Sequence, residues 1–301
     1  MRIPIFTDEV AQGGGWHGAQ LAQAFAVRGV QTVFVSLQDC LIDLSANCSI
    51  KNQPQIRIPH FDQVPKSAFV RGIASGTLQQ ITTRLNILHM LEMQGVKVFN
   101  NGRAIERTVD KAMTSFLLSR AGIASPPTWV CENRNQAHAI IAEKIQNARL
   151  VLKPLFGSQG RGIRLLAQLS ALPLPMDAHV EGVFYLQQFI ETGAQNHDFR
   201  VFVVNNKALA AMRRSGDGWL NNVAQGAQCD EARDADILAL AEQAAQAVDI
   251  DYCGVDIMRD LHGKLWVLEV NSIPAWRGLQ GVVKLNIAQA LVDDLLSKIE
   301  V

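Results

Sequence analysis

The sequence has little charge and no excess of either sign. Lys and Arg together number 28, Asp and Glu number 28, and charged residues make up 19% of the chain, so the formal net charge at pH 7 is zero. Non-specific binding to nucleic acid or to an anionic membrane depends on a basic surplus or a basic patch. The composition therefore argues against both partners, although it leaves room for a local pocket that binds a small anion.

Cysteine frameworks and long apolar segments are missing as well. The five cysteines form no Cys-x-x-Cys pair and no Cys/His pair at zinc spacing, which argues against the common zinc sites and favours reduced thiols. They are Cys40, Cys48, Cys131, Cys229 and Cys253. No apolar run reaches 18 residues, and the N-terminus lacks the apolar core of a signal peptide. We therefore expect a cytoplasmic protein.

The 301 residues are 48% hydrophobic, enough for about two domains with sizeable cores. In the first hundred residues, strand patterns alternate with helix patterns over short connections, which favours a parallel α/β layer. The predicted elements are strands Arg2–Phe6, Val30–Leu37, Ala68–Gly72 and Val96–Phe99, and helices Gln20–Arg28 and Leu78–Gln94.

The run Asn100-Asn101-Gly102 breaks this alternation, and we place the first domain boundary there. Strands and helices then follow in the mixed order that is typical of an α+β fold. The predicted helices are Val109–Ala121, Asp234–Val248 and Leu285–Ile299, and the predicted strands are Leu150–Lys153, Ile163–Leu166, Val183–Phe189, Asp198–Val204, Ala208–Arg213, Cys253–Arg259 and Lys264–Val270.

The strongest chemical signal is a pair of acids on two neighbouring strands. If His262-Gly263 forms a two-residue hairpin loop, Asp256 lies directly opposite Glu269, and Asn271 shares the face of Glu269. Facing carboxylates destabilise a hairpin unless a cation lies between them. The set contains only oxygen ligands and so suits magnesium or manganese. The alternative is a solvated polar strand face, but the rest of the hairpin is largely apolar.

A second signal is the glycine-rich loop at residues 157–162, which lies between two predicted strands. Glycines let backbone N–H groups surround phosphate oxygens, and Lys153 on the preceding strand is placed to reach a phosphate. The loop is not a Walker A motif, because no Gly-Lys-Ser/Thr and no helix follow it. Taken alone, it could equally be an ordinary hairpin.

Three further features carry weaker signals. Lys111 lies early in a predicted helix, where a solvated lysine is the common alternative. The segment 187–190 is a strand edge whose backbone could hydrogen-bond a purine. Arg213-Arg214 at a strand end could stabilise a transferred phosphoryl group or could form a solvated basic pair.

A competing motif lies near the N-terminus. Residues 13–18 fit Gly-x-Gly-x-x-Gly between a strand and a helix, and Asp39 follows at the spacing of a dinucleotide-binding fingerprint. However, the second predicted strand ends near Leu37, and the segment between the first strand and Gly13 is several residues too long. A nicotinamide- or flavin-dependent oxidoreductase is the alternative that this motif suggests.

In this order along the chain, the polar residues resemble those of the ATP-grasp superfamily, and most closely those of RimK-like α-L-glutamate ligases. The residues that carry the resemblance are Lys111, Lys153, Gly157, Ser158, Gln159, Gly160, Gly162, Gln187, Gln188, Phe189, Ile190, Asp198, Arg200, Arg214, Asn222, Asp256, Glu269 and Asn271. The run Glu269-Val270-Asn271 matches the metal motif of that family, whereas Gln188 stands where the family often has Glu. The run 275–280 is similar to a subgroup that modifies a pterin cofactor.

The resemblance implies an N-terminal α/β domain at 1–101, an ATP-grasp lid subdomain at 102–185 and a C-terminal ATP-grasp subdomain at 186–301. It implies that the two lysines and the glycine loop hold the phosphates of ATP, and that residues 187–190 hold adenine. Asp198, Arg200 and Asn222 would complete the ATP site. Asp256, Glu269 and Asn271 would bind two magnesium or manganese ions, with Arg214 and Lys153 as catalytic residues.

The same resemblance implies a carboxylate–amine ligase. ATP would phosphorylate a carboxylate, and an amine, with glutamate favoured, would displace the phosphate to form an amide on a pterin or peptide. Because guanidinium matches carboxylate geometry, we predict Arg71, Arg84 and Arg277 as partners of the acceptor carboxylate, with His17 in the same cleft. A non-catalytic nucleotide-binding module is a further alternative, and the sequence leaves a homo-oligomer open.

Overall fold

The N-terminal region forms a parallel sheet, as predicted. The computed structural model describes residues 1–45, 55–157, 160–168, 181–193, 196–216, 218–219 and 226–299. The sheet has the order β2-β1-β5-β6, and all its neighbouring strands are parallel. The elements are β1 (Arg2–Phe6), α1 (Gly15–Val27), β2 (Gln31–Val35), β3 (Leu41–Asp43), β4 (Gln55–Arg57), β5 (Ser67–Val70), α2 (Leu78–Met93) and β6 (Lys97–Phe99).

Two details of this region differ from the prediction. Helix α1 begins at Gly15 rather than at Gln20, because Gly14 adopts a left-handed conformation that starts the helix. The antiparallel ribbon of β3 and β4 was not predicted, since each strand has only three residues and carries no clear alternation.

A second, antiparallel sheet of order β7-β10-β8-β9 follows. The predicted helix Val109–Ala121 is α4, which begins at Lys111 because the Asp110 side chain accepts hydrogen bonds from the amides of Ala112 and Met113. Helix α3 before it was not predicted. The predicted boundary at 185/186 falls within β10, and the division into three domains stays a prediction. The elements are α3 (Gly102–Val109), α4 (Lys111–Arg120), β7 (Thr128–Cys131), α5 (Arg134–Lys144), β8 (Leu150–Lys153), β9 (Arg164–Leu166) and β10 (Phe184–Gln188).

The C-terminal region is built on an antiparallel sheet of order β13-β12-β11-β14-β15. This sheet and the N-terminal one confirm the predicted α/β and α+β fold class. The elements are β11 (His197–Val204), β12 (Lys207–Ser215), β13 (Gln228–Ala232), α6 (Ala235–Val248), β14 (Tyr252–Arg259), β15 (Leu265–Asn271), α7 (Arg277–Gln280) and α8 (Ile287–Ser297). None of the described helices is long and apolar enough to cross a membrane.

The core joins the two ends of the chain. Helix α8 packs on α1 and on the N-terminal sheet, so that Leu291 and Phe25 belong to one apolar cluster with Phe202 of β11. A buried asparagine adds a polar link: Asn100 Nδ2 donates to the carbonyls of Tyr252 and Ser272 at 2.7 and 2.6 Å, and its Oδ1 accepts from the Tyr252 amide at 3.0 Å. These contacts fix the ends of β14 and β15 against the N-terminal sheet.

Candidate active site

One large cavity, of about 890 Å³, collects most of the predicted site residues. Its wall comes from the loops after β1 and β5, the start of α1, strands β8, β10, β11, β12, β14 and β15, and the segment after β15. The predicted residues on this wall are His17, Arg71, Lys153, Gly160, Gln187, Gln188, Phe189, Ile190, Asp198, Arg200, Arg214, Asp256, Glu269, Asn271 and Arg277. Ser158, Gln159 and Asn222 lie outside the described residues.

Asp256 and Glu269 are direct cross-strand neighbours, as predicted, but the reason differs from the prediction. The loop has three residues rather than two, because Asp260 pairs with Lys264 and Gly263 takes the left-handed conformation that such loops need. That turn alone would leave Asp256 opposite Leu268. A β-bulge between Asp256 and Ile257 adds one residue on β15 and restores the pair.

The bulge also changes which side chains face the cavity. Leu268 and Glu269, although adjacent in sequence, both line its wall, and Asn271 follows on the same side. Val267 and Val270 on either side of them lie in the core beneath the sheet. One strand therefore supplies both an apolar surface and two oxygen ligands to the cavity.

Two arginines on β11 and β12 form ion pairs with acidic residues on the neighbouring strands. Arg200 lies opposite Asp256 and makes a bidentate pair at 2.7 and 2.6 Å. Arg214 lies opposite Asp198 with the same distances and reaches Asp256 Oδ1 at 3.2 Å. Burial favours a raised pKa for Asp256, but the two guanidinium groups outweigh it and hold that pKa well below its usual value. Burial raises the pKa of Asp198 to about 6, although Arg214 opposes the shift.

The donor set fits a hard divalent cation. Asp256, Glu269 and Asn271 offer only oxygen ligands, and the amide of Asn271 donates to Glu269 Oε1 at 3.1 Å, which leaves the Asn271 carbonyl oxygen available. Among the residues that the structure describes, no three His, Cys, Asp or Glu side chains are grouped closely enough to hold a metal ion. Two carboxylates and an amide suit magnesium, which usually takes one or two carboxylates together with substrate phosphates.

Lys153 is buried at the floor of the cavity and is held by a polar network. Its ammonium donates to Gln187 Oε1 at 2.6 Å, and the amide of Gln187 donates to Thr128 and Tyr185, each at 3.1 Å. Burial lowers the pKa of Lys153, and Lys111 lowers it further, whereas Glu269 and Asp256 oppose the shift. The sequence did not indicate that the Gln187 side chain positions this lysine.

In the described part of the glycine-rich segment, Gly157, Gly160 and Gly162 all have positive φ, where other residues would be strained, and Gly160 lines the cavity. Lys111 Nζ lies at the base of the loop and donates to the carbonyls of Leu155 and Gly157 at 3.2 and 3.0 Å. Lys111, Gly157 and Gly162 are therefore next to the cavity without lining its wall. Burial lowers the pKa of Lys111 as well.

The predicted purine segment ends β10 at an apolar part of the wall. Phe189 and Ile190 lie there with Val151, Met258 and Leu268. The guanidinium of Arg149 stacks 4.3 Å from the centre of the Phe189 ring and pairs with Glu191 at 2.8 and 2.6 Å, which holds the segment in place. The Gln188 and Phe189 amides are bound to the carbonyls of Pro127 and Arg149.

The opposite end of the cavity is charged. Arg71 and Arg277 lie there with His17, whose Nε2 accepts a hydrogen bond from the Trp276 amide at 3.1 Å. Burial and the two neighbouring arginines lower the pKa of His17 to about 3, so the ring is neutral near pH 7. Arg84 does not belong to this group, which corrects the prediction: it is buried and donates to the carbonyls of Ala74 and Ser75.

The glycine run 13–18 serves this same end of the cavity. It opens α1 and places His17 on the wall, whereas Asp39 lies in a separate turn after β2 has ended at Val35. The dinucleotide fingerprint requires its acidic residue at the end of that strand. The geometry therefore does not fit the oxidoreductase alternative.

Sequence comparison decides the family. Residues 108–295 match the RimK-like ATP-grasp domain. The chain belongs to the RimK-like ATP-grasp family. It is an ATP-dependent ligase, so the predicted enzyme class is confirmed and the oxidoreductase and non-catalytic alternatives are set aside.

Relatives of this RimK-like ligase include two glutamate ligases. The tetrahydromethanopterin:alpha-L-glutamate ligase of Methanococcus maripaludis is 37% identical over 242 residues, which cover 77% of this chain and 79% of the relative. A probable alpha-L-glutamate ligase of Hahella chejuensis is 29% identical over 287 residues, which cover 93% and 91%.

Solved structures confirm the ATP-grasp fold. The D-cycloserine synthetase DcsG superimposes with a TM-score of 0.75 at 17% identity, covering 99% of this chain and 100% of the other. The ATP-grasp ligase PsnB, in complex with a minimal precursor, Mg and ADP, gives a TM-score of 0.70 at 18% identity, covering 100% and 98%.

Proposed function

We propose that this ligase adds L-glutamate to a carboxylate of a pterin cofactor or a peptide, through an acyl phosphate formed from ATP. The observation that carries the chemistry is the pair of facing acids, Asp256 and Glu269, in the same cavity as Lys153 and the glycine loop. The substrate class is supported by the 37% identity to a tetrahydromethanopterin:alpha-L-glutamate ligase. The pterin is favoured over the peptide for that reason.

In this proposal the nucleotide lies along the apolar wall. The purine packs beside Phe189, Ile190 and Leu268 and hydrogen-bonds to the Ile190 amide, since the Gln188 and Phe189 amides are already bonded to other carbonyls. Lys153 and Lys111 bind phosphate oxygens, and the loop 157–162 covers them. Asp198, Arg200 and Asn222 complete the ATP site.

Asp256, Glu269 and Asn271 would hold Mg²⁺ or Mn²⁺, with two ions expected from the resemblance to the family. The metal would supply charge neutralisation to the phosphates. An oxygen of the substrate carboxylate attacks the γ-phosphorus, and ADP leaves. Arg214 stabilises the charge that develops on the transferred phosphoryl group. The amine then attacks the acyl carbon, loses a proton and expels inorganic phosphate.

Hydroxylamine tests this route. We expect enzyme, ATP, magnesium and a pterin or peptide carboxylate to form a hydroxamate, detected by mass, when hydroxylamine replaces glutamate. Oxygen-18 in the substrate carboxylate should pass to inorganic phosphate. Glu269→Gln should abolish both readouts while the exposed control Glu132→Gln retains them. A labelled carboxylate that yields amide without label in phosphate would contradict the acyl-phosphate route.

A further inference from the structure

We infer that the charged end of the cavity, formed by Asp8, Glu9, His17, Arg71 and Arg277, binds the free amino acid. We call this part of the cavity the N-terminal lobe. It binds a dicarboxylic α-amino acid in its zwitterionic form, whereas the nucleotide and the carboxylate that is phosphorylated bind elsewhere. The inference rests on the proposed function and adds the site of the second substrate to it.

The charges of the lobe match those of such an amino acid. Two guanidinium groups and two carboxylates line it, and His17 adds no charge because its ring is neutral. Glutamate has two carboxylates and one ammonium group, so each of its charged groups finds a partner of opposite sign. In the favoured reaction on a pterin, neither ATP nor the acceptor has an ammonium group, so the amino acid alone brings one for Asp8 and Glu9 to bind.

Arg71 shows that the lobe is built for a ligand. Its Nε is buried and finds no hydrogen-bond partner within the described part of the chain, although the guanidinium stacks 5.2 Å from the centre of the Trp276 ring. A buried guanidinium nitrogen without an acceptor is unfavourable, and a carboxylate would satisfy it with two parallel hydrogen bonds. Asp8 and Glu9 are exposed at the mouth of the cavity, where an incoming ammonium group would meet them.

His17 holds the lobe together rather than binding the substrate through its charge. Its Nε2 accepts from the Trp276 amide, and its ring packs edge-on against Trp276 with centres 4.5 Å apart. This contact ties α1 to the segment that carries Arg277, whose guanidinium lies 5.9 Å from the centre of the Trp16 ring. Both arginines therefore contact one aromatic cluster, Arg71 at Trp276 and Arg277 at Trp16, and both line the cavity.

The other reactants have better partners elsewhere. Lys153, Lys111, Arg200 and Arg214 gather positive charge near the metal ligands and the glycine loop, which suits ATP and the carboxylate that it phosphorylates. A pterin carboxylate brings no ammonium group to balance Asp8 and Glu9, whose negative charges would repel it there.

Measuring phosphorylation of the acceptor and amide formation separately tells whether the N-terminal lobe binds the acceptor or the amino acid. Hydroxylamine trapping measures phosphorylation of the acceptor carboxylate without the amino acid, whereas amide formation needs it. For Arg277→Ala, Glu9→Gln and Arg71→Lys, we expect the KM for glutamate to rise about tenfold or more, and far more than the KM for the acceptor carboxylate in the trapping assay. The preference for glutamate over glutamine should also shrink in at least one arginine variant, which a purely structural role would not cause. The exposed control Arg103→Ala should change none of these values.

Each result decides the inference. Equal losses in the trapping assay and in the glutamate reaction would assign the lobe to the acceptor and overturn it. If Arg71→Lys fails to fold, the inference is tested with Arg277→Ala and Glu9→Gln alone, since both residues are exposed. A wild-type enzyme that forms no glutamate-dependent product at all would contradict the proposed function itself, and this is seen before any variant is compared.

Discussion

Lys153 shows how its surroundings set the charge of a single side chain. It is buried, it donates to Gln187 at 2.6 Å, and burial lowers its pKa below the usual value for lysine. An ammonium group binds phosphate only while it is protonated. Nucleotide affinity that depends on Lys153 is therefore complete below the lowered pKa and is lost as the pH rises through it.

We predict that the affinity for ATP falls at a lower alkaline pH than an ordinary lysine would allow. Lys153→Arg should move this fall to higher pH, because a guanidinium group stays charged in this range. Calorimetric titration with ATP from neutral to alkaline pH measures the midpoint, and the exposed Lys207→Arg serves as the control. Identical midpoints for the wild type and Lys153→Arg would mean that another group titrates.

At the scale of elements, one β-bulge lets the β14–β15 hairpin present both apolar and acidic side chains to the cavity. The bulge turns both Leu268 and Glu269 toward the cavity, so the strand places an apolar side chain for the proposed purine site beside the proposed metal ligands. A regular strand would have turned Leu268 away from Glu269.

Leu268→Ala tests this arrangement. Removing the side chain should cost about 1–2 kcal/mol of nucleotide binding, about a tenfold rise in the KM for ATP. Folding should be little affected, because the Leu268 side chain lines the cavity instead of packing against the core beneath the sheet. Leu265 on the same strand packs toward the core, so Leu265→Ala should lower the free energy of unfolding and leave the KM for ATP unchanged. If Leu265→Ala raised the KM for ATP and Leu268→Ala did not, the placement of the purine beside Leu268 would be wrong.

Irregularities of this kind mark the limit of what the sequence can predict. The strands that hold the acids follow from their alternation, and the facing of Asp256 and Glu269 was predicted correctly from an incorrect loop. The pairing of Asp198 with Arg214 had a signal that the sequence analysis did not use. Asn205-Asn206 lies between the two predicted strands, and in the structure both residues take the positive φ of a two-residue hairpin turn. That turn alone would put Arg213 opposite Asp198, and a second bulge shifts the pair by one residue.

At the scale of the whole molecule, the cavity depends on contacts between distant parts of the chain. Asp8 and Glu9 reach it because β1 and β5 are parallel and deliver their following loops to one edge of the sheet, and no local pattern marks them. Arg84 shows the opposite case. We predicted that it binds a carboxylate, but its guanidinium donates to the carbonyls of Ala74 and Ser75 and so stabilises that loop. Residue type identifies possible chemistry, but tertiary structure is needed to tell an arginine that lines the cavity from one that stabilises a loop.

Asn100 connects the end of the N-terminal sheet to the ends of both strands that carry the proposed metal ligands. Its side chain makes three buried hydrogen bonds, to the amide and carbonyl of Tyr252 at the start of β14 and to the carbonyl of Ser272 just beyond β15. Asn100→Ala removes all three and leaves those backbone groups buried without partners. We predict a loss of about 3 kcal/mol in the free energy of unfolding.

Urea unfolding measures this loss, with Asn86→Ala on the exposed face of α2 as the control, which should change the midpoint little. Because the lost contacts hold the ends of the strands that carry Asp256 and Asn271, the variant should also need more magnesium for half-maximal activity at temperatures where it remains folded. A destabilised variant with an unchanged magnesium requirement would show that the β14–β15 hairpin keeps its geometry by its own pairing, without the contact to the N-terminal sheet.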